Sequence, residues 1–199
     1  MADPKARRTG GRSARVRNAV LDATLQELRE HGMEQVNIRR IAQRAEVHET
    51  SVYRRWRTRE GLVLDALATY SDQSIPVPDT GTLHSDLSGL AANLATHLET
   101  PLGGALLRAM AAAGDDPESS QARSQLFRAR YERAKPLVDR AVERGELPVG
   151  TDPRLPLEML IAPLHFRSLF TRETLNDPDL PDLLAEMVIN GLHRTEPRE

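Results

Sequence analysis

Residues 19–67 read AVLDATLQELREHGMEQVNIRRIAQRAEVHETSVYRRWRTREGLVLDAL, and this stretch decides the fold. Val20, Ala23, Thr24 and Leu28 continue Val16 at three- and four-residue spacing, which predicts a helix over 13–31 with Gly32 as its left-handed C-cap. Asn37 suits the N-cap of a second, two-turn helix whose Ile38, Ile41, Ala42 and Ala45 share one face. After Glu46-Val47-His48 a third helix over 49–56 places Val52 and Trp56 one turn apart for burial. Thr58 caps a fourth helix that runs through Leu62, Leu64, Leu67 and Ala68 to about Tyr70.

Two short amphipathic helices joined by a three-residue turn, behind a longer helix, make a helix-turn-helix arrangement. Its second helix presents an N-terminal half to a major groove, and its first braces that helix across the backbone. His48, Glu49, Thr50, Ser51 and Arg54 are the side chains so presented, all able to hydrogen-bond base edges. Asn37, Arg39, Tyr53, Arg55, Arg57, Thr58 and Arg59 fall where phosphates would lie, three of them at the N-terminus of the fourth helix. Trp56 is expected to pack in the core, and one of Arg39 and Arg40 is expected to be solvated.

The charge agrees with that division of labour. The 199 residues carry 27 Lys+Arg and 29 Asp+Glu. Residues 1–60 hold a net +6 and residues 61–199 a net −8, the footprint of a small module that meets phosphate beside a remainder that avoids it. The absence of cysteine excludes disulfides, thiolate metal sites and a cysteine nucleophile, and allows a reducing cytoplasm. No apolar run approaches the ~20 residues of a membrane span, and the basic N-terminus lacks an apolar signal region, so a cytoplasmic protein is expected. The six histidines show no HxxxH or HExxH spacing, and no glycine-rich phosphate loop occurs. Asp115-Asp116 is explained by helix capping. No catalytic residue, metal or cofactor is expected, and an enzyme is disfavoured.

Outward from the central stretch, residues 1–13 with Gly10-Gly11 are expected to be a flexible basic arm. Its Arg7, Arg8 and Arg12 serve either solubility or an adjacent minor groove. Residues 14–72 form the helix-turn-helix domain, the Pro- and Gly-containing 73–82 a linker, and 83–195 a second helical domain. The helices of that domain are expected at about 83–98, 101–113, 117–144, 153–170 and 179–193. Thr100 and Asp116 act as caps, Pro136 kinks the long helix, and Pro163 interrupts the next. No alternating strand pattern or internal repeat appears, so the chain is expected to be all-α.

At Gly32, Ile41-Ala42, Ala45, Val47, Val52-Tyr53, Trp56, Glu60 and Leu62, with ungapped spacing, residues 19–67 resemble the TetR family of one-component transcriptional regulators. Residues 140–175, RAVERGELPVGTDPRLPLEMLIAPLHFRSLFTRETL, are similar to a C-terminal ligand-binding and dimerisation domain of many members. Three positions depart from the pattern. Glu46 stands where glycine is usual, so either it adopts a positive φ or the turn differs. Arg59 replaces a lysine, and Glu49 puts a negative charge on the DNA-facing helix.

The resemblance implies a homodimer that binds a palindromic DNA operator, represses transcription and is released by a small hydrophobic ligand. The alternative is a DNA-binding regulator without a small ligand, controlled by a partner protein or by abundance. Apolar stripes of Leu157, Ile161, Leu164 and Ser168, and of Leu180, Leu184, Met187, Val188 and Gly191, are the expected dimer interface. Leu94, His97, Leu106, Met110, Phe127, Tyr131, Met159, Leu160, Phe166 and Arg167 are the candidate pocket residues, with His97, His165 and Arg167 the polar groups to follow.

Overall fold

A computed structural model describes residues 10–112 and 117–193. Arg7, Arg8, the Arg12 side chain, Ala113, Asp115 and Asp116 therefore lie outside the described residues. The described residues are helical with no strand, and residues up to Tyr70 and those from Ser71 onward form two compact units.

The first unit begins with α1 (Gly10–His31), followed by α2 (Ile38–Arg44), α3 (Glu49–Trp56) and most of α4 (Arg59–Ser74). Helix α1 starts at Gly10, so Gly10 and Gly11 belong to the helix and not to the expected arm. Gly32 ends it at φ +77°, its N–H bonded to Leu28 O. Asn37 caps α2 as expected, Oδ1 accepting from the Arg39 and Arg40 amides at 2.9 and 3.3 Å. The α2–α3 turn resolves the question posed by Glu46. The amides of Glu46 and Val47 bond back to Gln43 O and Ala42 O, a Schellman closure that requires a left-handed residue at Glu46, whose φ is +56°. A core of Val20, Leu21, Leu25, Leu28, Ile41, Val52, Leu62 and Leu67 holds the four helices together.

The second unit contains α5 (Leu83–Glu99), α6 (Pro101–Ala112), α7 (Pro117–Glu143), α8 (Arg154–Phe166) and α9 (Leu180–His193). Helix α5 is its axis, packed against α6, α7, α8 and α9. The corner between α5 and α6 depends on Gly103, where a Cβ would lie 2.0 Å from His97 O. Helix α7 runs continuously through Pro136, and α8 opens after Pro163 into a π-helical turn, Arg167–Thr171, closed by Arg172 N–H on Arg167 O. The chain divides inside α4, and the proline-rich stretch after it is tied to the second unit. Asp86, fully buried, accepts from the Thr80 amide and hydroxyl, while Arg140 Nη2 donates to Pro78 O at 2.6 Å. No helix among the described residues is long and apolar enough to cross a membrane.

Candidate nucleic-acid interface and ligand cavity

Helix α3 has eight residues, and its buried side is Val52. The rest of the helix is held by a single carboxylate. Asp65 on α4 accepts from Trp56 Nε1 at 2.8 Å through one oxygen and from Arg17 Nη2 at 2.5 Å through the other, so α1, α3 and α4 meet at one group. Trp56 is half-buried, at the edge of the core and not inside it as expected, and the Arg55 guanidinium lies 5.5 Å from its ring centroid. Asp65 and Arg17 were not among the expected functional residues; the signal was an acid inside the otherwise apolar face of α4.

With Val52 and Trp56 turned inward, His48, Thr50, Tyr53 and Arg54 are exposed, while Glu49 and Ser51 are half-buried. Asn37, Arg39, Arg55, Arg57, Thr58 and Arg59 are exposed as well. Arg39 Nε bonds Glu49 Oε1 at 3.1 Å, so the acid of the presented helix is engaged by a neighbouring cation. Arg40 is structural instead. It donates from Nε to Glu27 Oε1 at 2.7 Å and from Nη2 to Gln35 O at 2.8 Å. Arg39, with its side chain 82% exposed, is thus the solvated member of the pair.

Arg54 and Arg57 have no ion pair among the described residues. Arg57 sits at φ +48°, ψ −46°, with the Thr58 amide bonded to Trp56 O, a tight turn that few side-chain-bearing residues adopt. Immediately after it, Thr58 Oγ1 accepts from the Gly61 amide at 3.0 Å and caps α4. Arg59 bonds Glu60 Oε1 at 3.0 Å and Glu34 O at 3.3 Å, at the helix end where backbone N–H groups point outward. The surface thus combines hydrogen-bonding side chains on α3 with cations and a helix N-terminus beside it.

An open-sided cavity of about 690 Å³ lies in the second unit. Leu90 and Leu94 of α5, Phe127, Arg130, Tyr131 and Ala134 of α7, and Leu157, Ile161 and His165 of α8 line it, with Ser71 and Asp72 at the end of α4. Leu94, Phe127 and Tyr131 are the expected pocket residues that lie on this wall. Leu106, Met110 and Leu160 are buried in helix packing instead. His97 is buried behind the wall with Nε2 3.0 Å from Ser71 Oγ, and Arg167 faces Glu173 at 3.7 Å. Met159 and Phe166 are on the exposed side of α8. Arg130 was missed, although Phe127, Arg130, Tyr131 and Ala134 fall at i, i+3, i+4 and i+7 and so share a face. Burial, reinforced by the positive charge of Arg130, lowers both His97 and His165 to about 4 and keeps them neutral near pH 7.

The expected dimer residues divide into two sets. Leu157, Leu164, Leu180, Leu184 and Val188 are at most 6% exposed and pack within their own chain, so they are unavailable to a partner. Ile161 is on the cavity wall, Ser168 is half-buried, and Gly191 faces Met159 Cε of the same chain at 3.5 Å from where a Cβ would stand. Only Met187 is openly exposed. The apolar surface that α8 and α9 do expose consists of Leu155, Met159, Phe166, Phe170, Leu183 and Met187, with exposures of 39% to 73%. Along α8 and its π-helical turn these residues recur at four and seven, and the Phe166 and Phe170 rings lie 5.4 Å apart.

Residues 20–66 match the family described as bacterial regulatory proteins, tetR family, and residues 77–188 match the Tetracyclin repressor-like C-terminal domain. Among curated proteins, the chain is 37% identical to the HTH-type transcriptional regulator AqdR of Rhodococcus erythropolis over 167 residues, covering 83% of this chain and 81% of that one. It is 29% identical over 183 residues to the uncharacterized HTH-type transcriptional regulator YdeS of Bacillus subtilis, covering 91% of each. Among solved structures, the TetR family transcription regulator SCO0332 superposes with a TM-score of 0.77 at 27% identity, over 88% of this chain and 97% of that one.

Proposed function

Because the chain belongs to the TetR family of transcriptional regulators, which are DNA-binding proteins and not enzymes, we propose that it is a cytoplasmic repressor. In this reading it binds a palindromic operator as a homodimer and is released when a small molecule fills the cavity of its second unit. The observation that carries the DNA-binding part is α3 itself: Val52 and Trp56 face inward, and the outer face offers His48, Thr50, Tyr53 and Arg54.

The exposed positions support a division of roles. Thr50 and Arg54 read base edges, whereas Tyr53, Arg57, Thr58 and Arg59 hold phosphates and fix register without reading sequence. The Arg39–Glu49 pair is exposed and worth at most about 1 kcal/mol, so Arg39 can exchange Glu49 for a phosphate at little cost. One such module makes few contacts, and two on half-sites ~34 Å apart make specificity. The exposed stripe of Leu155, Met159, Phe166, Phe170, Leu183 and Met187 supports a four-helix contact between two copies. Helix α4 starts at Arg59 beside the proposed phosphate contacts and ends with Ser71 and Asp72 on the cavity wall, which supports coupling of ligand to DNA through that helix.

Selection of bound duplexes from a random DNA library at fixed salt tests this reading. An inverted repeat is expected; the absence of any motif overturns it. On the recovered operator, Tyr53→Ala and Arg59→Ala are expected to weaken binding on all sequences, and Thr50→Ala and Arg54→Ala to relax sequence preference as well. Equal loss on every sequence for all four variants would remove the division between phosphate and base contacts.

A further inference from the structure

The cavity wall is not uniformly apolar. Leu90, Leu94, Leu157 and Ile161 suit a hydrocarbon or aromatic body, but Arg130 stands among them. Its Nη2 donates to Ser71 Oγ, and Ser71 is already paired with His97 Nε2. Its Nε is sealed from solvent with no acceptor among the described residues. Asp72, the carboxylate that acts on it through space, is occupied by Arg133 Nη1 at 3.3 Å, and no carboxylate among the described residues forms an ion pair with Arg130.

A half-buried guanidinium with a sealed, unpaired Nε and one neutral hydroxyl as partner is costly, and that cost is recovered when an anion completes the pair. Arg128, Arg133 and Arg154 also line the cavity but are exposed, and Arg133 is paired with Asp72, so Arg130 is the least exposed cation of the wall. His165, on the same wall, and His97 behind it are neutral near pH 7, and Glu132 and Glu158 are exposed at the rim. The volume is in the range of small-molecule sites, and the planar fork of Arg130 N–H groups, set deeper than the other cations and beside apolar side chains, is a recognition element for an oxyanion.

We propose that the effector is an organic monoanion, a carboxylic acid with an apolar body, whose carboxylate pairs with Arg130 while the body lies against Leu90, Leu94, Leu157 and Ile161. This assignment rests on the reading of the cavity as the effector site. Neutral His165 adds a hydrogen bond without a second charge, which favours one anionic group over a dianion.

The test uses matched acid and neutral probes, decanoate against 1-decanol and 2-naphthoate against 2-naphthalenemethanol, titrated calorimetrically into the full chain without DNA. At least one acid is expected to bind about 10- to 100-fold more tightly than its neutral partner. Arg130→Met is expected to abolish that preference and Arg130→Lys to retain part of it. The comparison in the unmodified protein needs no variant, so a misfolded Arg130→Met does not leave the question open. Equal affinity for acid and neutral probe, an acid preference that survives in a folded Arg130→Met protein, or failure of both acids to bind overturns the proposal. Operator release is measured separately by fluorescence anisotropy. A neutral probe that binds as tightly as its acid and releases DNA sinks the anion assignment and leaves the regulator reading intact. An acid that needs Arg130 but leaves operator affinity unchanged supports the anion site and removes its role as effector site.

Discussion

Replacing Arg40 tests whether the reading helices stand on a buried charge. Glu27 on α1 is wholly inaccessible, and Arg40 on α2 meets its Oε1 with Nε at 2.7 Å and Nη2 at 2.5 Å. The other nearby groups are poor substitutes: Arg44 Nη1 is 4.0 Å from Oε2, His31 Nδ1 is 3.6 Å away, and Oε2 has no hydrogen bond among the described residues. Arg40→Met therefore leaves a carboxylate in the core with one distant cation. Loss of a partner from a buried pair costs about 3–5 kcal/mol, and the residual attraction of Arg44 puts the expectation near 3 kcal/mol. The neighbouring pair Arg39–Glu49, with side-chain exposures of 82% and 41%, provides the control, and Arg39→Met is expected to cost about 0.5 kcal/mol or less. Trp56 is the single tryptophan and lies in the same unit, so urea unfolding followed by its fluorescence reports on this unit. A difference of about 2 kcal/mol between the two variants is expected, and the Glu27→Leu, Arg40→Met double variant should recover most of the loss. If Arg40→Met unfolds within 1 kcal/mol of Arg39→Met, Glu27 is not dependent on Arg40 and the bracing argument fails.

The remaining expectations concern the second unit. His97 and His165 fall from an ordinary 6.5 to about 4 on burial, so the unfolded chain binds more protons between those values. Stability is full above about pH 7 and is lost as pH falls through 6.5 toward 4, by up to about 1.4 kcal/mol per pH unit for each histidine. Far-UV circular dichroism of urea unfolding between pH 7.5 and 4.5 measures this, and His165→Phe should make the slope shallower; a pH-independent midpoint contradicts it. Gly103→Ala drives a Cβ into the His97 carbonyl and should cost about 3 kcal/mol, whereas Gly191→Ala meets only Met159 Cε at 3.5 Å and should be neutral or slightly stabilising, as thermal melts will show. Phe170→Glu places a charge on the exposed stripe and should shift the proposed dimer toward monomer in sedimentation; an unchanged dimer would mean that another surface joins the copies.

The first unit was legible because its signals are local and each admits one answer. Asn37 can cap only the helix that follows it, and α3, with Val52 and Trp56 as its inward residues, has one way to face the core. The same locality explains what was left open at Glu46. Both outcomes satisfied the sequence, and the choice is made by two backbone bonds, to Gln43 O and Ala42 O, that need a left-handed residue between the helices. Adopting φ +56° costs a non-glycine residue roughly 1 kcal/mol, less than leaving those end carbonyls unpaired. The brace on Asp65 was hidden for the opposite reason: its partners Arg17 and Trp56 are 48 and 9 residues away, and nothing local specifies the meeting.

Helix α8 shows the limit of periodicity as a guide to interfaces. Leu155, Pro156, Leu157, Met159, Leu160, Ile161, Pro163, Leu164 and Phe166 cover most of its circumference, so the pattern predicts burial without saying against what. Three surfaces compete for this helix: its packing against α5 and α9, the cavity, and the exposed stripe. Leu160 and Leu164 go to the core, Leu157 and Ile161 reach the cavity wall, and Met159 and Phe166 are left outside. A helix apolar on nearly all sides is what an element that closes a cavity on one side and, in the proposed dimer, meets a second copy on the other requires, and no single stripe can describe it. The π-helical turn after Phe166 has the same consequence. With Phe170 exposed four residues after Phe166 it carries the stripe one turn beyond the α-helix, and its closure by Arg172 N–H on Arg167 O is not written in an apolar spacing of four and seven that an α-helix would share.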